Sequence, residues 1–240
     1  MTIKKLLRPQ LLFPIVISAV LVIALICAAT IPHGPTFKMV KTEIPGSMSM
    51  SWANISEEEF YREMALAAYV EYKSGPEYYD LTQPGDSYSM PITVYAFNPD
   101  DILARPRNGA LETKEDGTIL IHSISDAFSG ISGNPDEDLY IMFLSDQRDY
   151  PNFEPRTDVS PAYYDDYVDA FGYALITPFV SIIPARYMEQ FGMIAMETNR
   201  LPEYLRGEGY YTTIEELRNI LTAGRTKYGM SEYVPPADPS

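Results

Sequence analysis

Hydrophobic and polar positions along the chain fall into four regimes. Leu11 to Ile31 runs 21 residues without a charge, and thirteen of them are Leu, Ile, Val or Phe. As a helix this stretch spans about 31 Å, against a hydrocarbon core of about 30 Å. Its apolar side chains favour insertion by on the order of −4 to −8 kcal/mol. The run is longer than a secretory h-region of about 7–15 residues, which favours an uncleaved anchor over removal after Ala29. Lys4, Lys5 and Arg8 precede it, and only Lys38 and Lys41 follow before Glu43. That bias places the N-terminus in the cytoplasm and the rest outside it, in the periplasm or extracellular space.

Next comes a stalk, residues 32–51, rich in Pro and Gly, with a short strand expected at Phe37–Ile44. Ser56 and Glu59 form a capping box, and Phe60, Met64, Ala67, Ala68 and Val70 to Tyr72 supply an apolar face. The pattern predicts a helix from Ser56 to near Lys73, stopped by Gly75-Pro76. The middle of the chain is β-rich. A strand is expected over Tyr88–Phe97, ended by Asn98-Pro99, with a hairpin about Asp116-Gly117 and a further strand over Leu139–Leu144.

The last third reads as helical. Ser160-Pro161 opens one helix carrying Tyr164, Val168, Phe171 and Leu175. Tyr187, Phe191 and Ile194 suggest a second. Thr213 and Glu216 cap a third, with a stop at Gly224. Ala170–Ala185 is uncharged but short for a span and broken by Pro178 and Pro184, so it reads as a buried helix and a turn.

These elements predict an α+β fold: an N-terminal transmembrane helix followed by one exported domain with a small antiparallel sheet and C-terminal helices. The expected divisions are a cytoplasmic head 1–10, an anchor 11–31, a stalk 32–51, a domain 52–228 and a mobile Pro-rich tail 229–240.

Composition narrows the chemistry. Of 240 residues, 18 are Lys or Arg and 33 Asp or Glu, for a net charge of −15. Such acidity argues against nucleic acid and anionic lipid as partners and favours cationic ones. One Cys excludes an intrachain disulfide and multi-thiolate metal sites. His33 lies on the stalk, which leaves His122. Strand alternation puts that imidazole on the face of Leu120 and Ile124, the setting of a core histidine. No nucleophile elbow, P-loop or dinucleotide fingerprint occurs. The acid-rich stretch Asn134–Asp138 lacks the spacing of an EF-hand. No residue is therefore assigned a catalytic or metal-binding role, and no cofactor is implied.

The 19 tyrosines stand out against a single Trp. Tyrosine suits interfaces because its ring is apolar and its hydroxyl is not. Trp52, Tyr78, Tyr79, Tyr163, Tyr164, Tyr167 and Phe179 are the candidate protein-contacting residues. The functional expectation is a single-pass, membrane-anchored accessory or structural subunit without enzymatic activity. Its acidic domain would dock on a larger membrane assembly or an extracytoplasmic protein partner. Two alternatives stay open: a cell-envelope hydrolase using paired carboxylates, for example on glycans, and an exported ligand-binding domain.

Overall fold

Long strands dominate the second of the two units into which the chain divides, Met1–Gly34 and Pro35–Ser240. The computed structural model describes residues 20, 22, 37–43, 55–83, 85–107, 111–124, 128, 131, 133, 139–146, 148, 163–177, 180–189 and 192–230. Ten strands are defined among them: β1 (Lys38–Thr42), β2 (Leu66–Thr82), β3 (Met90–Ala104), β4 (Ile119–Ser123), β5 (Leu139–Ser145), β6 (Tyr173–Leu175), β7 (Ile182–Pro184), β8 (Arg186–Met188), β9 (Met193–Glu197) and β10 (Tyr211–Thr213). Helices α1 (Glu57–Glu63), α2 (Tyr163–Phe171) and α3 (Ile214–Lys227) accompany them.

The first seven strands form one mixed sheet in the order β1-β2-β3-β4-β6-β5-β7, and β5 also pairs with β2. That extra pairing closes β2-β3-β4-β6-β5 into a small barrel. Within it only β4 and β6 run parallel. Alternation explains the interior. Leu66, Ala68 and Val70 of β2 point inward with Tyr95 and Phe97, Ile119 and Ile121, Tyr140, Met142 and Leu144, and Tyr173 and Leu175. Each barrel strand contributes every second residue, as a closed sheet requires.

The outward residues are buried too, under two covering layers. Ala67, Tyr69, Ile141 and Phe143 pack against Phe60 and Tyr61 of α1, Met64 just after it, and Leu217 and Leu221 of α3. On another side, Ile92 and Val94 lie under Tyr163, Tyr164 and Phe171 of α2, with Phe37 wedged among them. The remaining strands make a separate antiparallel sheet, β10-β9-β8. Both predicted capping boxes are present, Ser56 with Glu59 and Thr213 with Glu216. Gly224 lies inside α3 rather than ending it, and its place there is fixed by packing: a Cβ would come within 1.9 Å of the Tyr61 ring. Beside it the buried Arg225 donates to the carbonyls of Met64 and Ala65 at 2.9 and 2.8 Å, tying α3 to the α1–β2 junction.

The expected fold class is thus overturned: the domain is mostly sheet, not a small antiparallel sheet with C-terminal helices. Three segments account for the difference. The helix expected from Ser56 to Lys73 ends at Glu63, and its apolar remainder is the start of the 17-residue β2. Both faces of its first five residues, Leu66–Val70, are covered, so they show no polar alternation and match a buried helix equally well. Gly75-Pro76, expected as a stop, sits within β2, where the pairing register to β3 shifts. Tyr187 to Ile194, expected as a helix, is the β8–β9 hairpin, with the Gly192 N–H on the Met188 carbonyl at 2.9 Å. The uncharged run from Ala170 to Ala185 supplies the end of α2 and strands β6 and β7 rather than a buried helix. Asn98-Pro99 does not end β3, which continues to Ala104. The Asp116-Gly117 turn forms, but only its C-terminal arm is a strand.

Of the stretch 11–31, only Val20 and Val22 are described, both helical and both exposed. Among the described residues no helix is long and apolar enough to cross a membrane. The tail beyond Met230 and the acid-rich stretch 134–138 lie outside the described residues.

Candidate functional site

Across the outer face of the barrel, three residues stand in one row: His122 of β4 pairs with Ala174 of β6, and Ala174 with Ser145 of β5. The small Ala174 leaves a gap between two polar neighbours. The resulting cleft, of about 120 Å³, is walled by Tyr164, Tyr167 and Val168 of α2 and by Asp146 and Arg148 beyond β5. Gly172 sits at its base with φ +70°, turning the chain from α2 into β6. A Cβ there would lie 2.0 Å from the Leu120 carbonyl oxygen, so only glycine lets this junction approach β4.

His122 is 4% exposed and both its nitrogens are engaged. Nδ1 lies 3.1 Å from the Phe171 carbonyl, which only accepts, so Nδ1 carries the proton and donates. Nε2, 3.0 Å from the Tyr167 hydroxyl, is then the acceptor and Tyr167 the donor. Burial pulls the imidazole down to about 4, against opposing hydrogen bonds to the backbone of Phe171 and Tyr173. Burial also pushes the Tyr167 phenol well above its ordinary value. The pair is a neutral strut between β4 and α2, as the sequence pattern of a core histidine implies.

Arg148 performs the same service with charge. It reaches the buried Asp146 carboxylate through Nη2 at 2.8 Å and Nε at 3.2 Å, Asp165 of α2 at 2.9 Å and Glu112 at 3.4 Å. Burial works against the guanidinium's charge, but its hydrogen bonds to the Asp146 and Asp165 carboxylates outweigh it and raise its pKa. One cation thus fastens three separate segments around the cleft. Ser145 Oγ is turned to the Ala174 carbonyl at 3.4 Å. One strand, β6, lies between it and His122, so two inter-strand steps give a backbone spacing of roughly 10 Å. The geometry holds elements together; it does not aim a base at a nucleophile. Among the described residues no group of three or more His, Cys, Asp or Glu is placed to hold a metal ion.

A second region carries exposed rather than internal chemistry. By register and alternation one side of β8-β9-β10 carries Arg186, Met188, Met193, Glu197, Tyr211 and Thr213 around the buried Ala195. Tyr210, 69% exposed, meets Tyr211 edge-on at 4.8 Å, and the Arg186 guanidinium lies 5.1 Å from the Tyr211 ring centre. Met193 is 39% exposed on this face, and Tyr187 is 58% exposed at its edge. On the opposite side Met196 and Thr212 are buried, while Tyr187, which register places there opposite Ile194, stays exposed on the edge strand β8.

The tyrosines singled out in the sequence are placed differently. Tyr163 and Tyr164 are 3% and 7% exposed and face the core under α2. Tyr167 is half-buried on His122. Tyr78 and Tyr79 lie half-buried on β2 opposite β1. Trp52 and Phe179 lie outside the described residues. None of the described ones belongs to the exposed face of the three-stranded sheet. The sequence pattern hides that face because Tyr187, Phe191 and Ile194 fall at helical spacing and predict a helix there; the adjacent Tyr210-Tyr211 pair is the available signal. Comparison with protein-family models, curated proteins and solved structures finds no match.

Proposed function

We propose that this chain is a single-pass, membrane-anchored accessory subunit whose acidic exported domain docks on a protein partner in a membrane assembly. The uncharged stretch from Leu11 to Ile31 supports the anchor, and its flanking charges support an exported domain. The docking surface is the outer face of β8-β9-β10. The observation that carries this reading is its composition: Arg186, Met188, Met193 and Tyr211 share one side of the sheet, with the exposed Tyr210 ring against Tyr211. Tyr, Met and Arg are the residues enriched where proteins meet, and isolated exposed apolar side chains would not be gathered so. The cleft at Ala174 supports the same conclusion from the other side. Its volume falls below the roughly 300–1,000 Å³ of small-molecule sites, and its one cation, Arg148, is already held by the Asp146 and Asp165 carboxylates.

A photo-crosslinking residue at position 210 of the full chain, in its native membrane, tests the docking face. A discrete adduct at 210, absent with the probe at the exposed Thr222 of α3, is the expected result. Equal labelling from both positions, or none from 210, would count against this face.

A further inference from the structure

The chain is strongly acidic, yet one spot on the three-stranded sheet has the opposite balance. Arg186 and Arg200 share a single carboxylate, that of Glu197. Arg186 Nη2 is 3.2 Å from Glu197 Oε1, and Arg200 Nε is 3.3 Å from Glu197 Oε2. Arg186 is steadied further by the Tyr211 hydroxyl at 2.7 Å. Both terminal nitrogens of Arg200, and Nε and Nη1 of Arg186, have no partner among the described residues. The triad keeps one net positive charge and a fan of unused N–H donors. It borders a depression of about 150 Å³ floored by Pro184, Ala185 and Met196. Arg206, nearby in sequence, is turned away to the Leu201 carbonyl at 2.8 Å.

We propose that Arg186, Glu197 and Arg200 form a receptor for a carboxylate carried on a segment of the partner protein. The acid enters between the guanidiniums, and its apolar neighbours cover Met193, Tyr210 and Tyr211. This rests on the docking reading above and specifies what that face recognises. Charge selects the occupant: a monoanion neutralises the triad, whereas a dianion such as phosphate overshoots it. Planar guanidinium forks match the two oxygens of a carboxylate. The depression is too small to enclose a free metabolite, so the acid arrives on a larger chain. The acidity of the rest of the molecule is screened beyond about 8 Å at physiological salt, so local charge governs the encounter.

The test is a titration of the full chain in detergent micelles, following the side-chain Nε–Hε resonances of labelled arginine. The probe is the blocked peptide acetyl-Leu-Glu-Tyr-amide, with the glutamine counterpart as control. Saturable shifts of Arg186 and Arg200 are expected, with the glutamine peptide at least about ten-fold weaker. Arg200→Gln should weaken the glutamate peptide about ten-fold, and Glu197→Gln, which removes the competing carboxylate, should strengthen it. Unchanged melting temperatures show that these exposed substitutions leave the fold intact. The proposal is overturned by equal binding of the two peptides, by indifference to Arg200→Gln, or by no saturable shift. It is overturned equally if inorganic phosphate moves the same signals as strongly, or if dilution of the protein alone moves them, which would mark a self-contact. An adduct from position 210 that survives Arg200→Gln at full yield would retain the docking face and discard the carboxylate receptor.

Discussion

Replacing His122 by Gln separates a structural imidazole from a catalytic one. In the folded chain His122 titrates near 4, because its ring is buried between β4 and α2 with both nitrogens bonded. In the unfolded chain it titrates near 6.5. Between those values the unfolded state binds the proton and the folded state does not. Stability from this group is therefore fully present above pH 6.5 and is lost progressively as pH falls toward 4. A shift of about 2.5 units corresponds to about 3 kcal/mol. Urea unfolding of the wild type and of His122→Gln, from pH 7 to pH 4, isolates the effect, since carboxylate titrations common to both cancel. The unfolding free energy of the wild type should fall by about 3 kcal/mol more than that of the variant. Nitrogen NMR of the wild type at pH 6 should show a neutral ring protonated on Nδ1. Parallel pH curves for the two proteins, or a ring titrating near 6.5, would refute the reasoning and reopen His122 as an accessible base.

Two further substitutions test the supports of the same cleft. Gly172→Ala combines a left-handed backbone with a Cβ 2.0 Å from the Leu120 carbonyl oxygen, and should destabilise by about 2–5 kcal/mol from strain and overlap together. A loss below about 1 kcal/mol in urea unfolding would contradict the close approach of α2–β6 to β4. Arg148→Met strands the buried Asp146 carboxylate and should cost about 3 kcal/mol. Asp146→Asn in that background should recover part of the loss in the same assay, and strict additivity of the two changes would argue against the pairing.

Local signals in the sequence survive in the structure wherever short-range chemistry decides. The two capping boxes need only residues three apart, and both form as read. The Asp116-Gly117 turn and the strands β1 and β5 likewise rest on local pattern. Failures begin where burial on both sides erases the difference between periods. Leu66 to Val70 lies between the barrel interior and the helices outside it, so no polar residue marks a period of two. Barrel closure depends on β5 meeting β2 some seventy residues earlier, which no local pattern encodes. The same long-range packing governs the candidate sites. Tyr163 and Tyr164 look like interface residues beside their acids, but α2 turns them inward onto Phe37 and Val94. Arg186 and Arg200 stand fourteen residues apart, and only the hairpin and the turn after β9 bring both onto Glu197.

The central claim, that the outer face of β8-β9-β10 is covered by a partner, is tested most directly by oxidative footprinting in the intact membrane. Met193 and Tyr210 are the reporters, and Met39 on β1, 44% exposed, is the internal reference. In the purified chain all three should react. In the native membrane Met193 and Tyr210 should be protected while Met39 still reacts. Equal reaction of all three residues in both states would contradict the account.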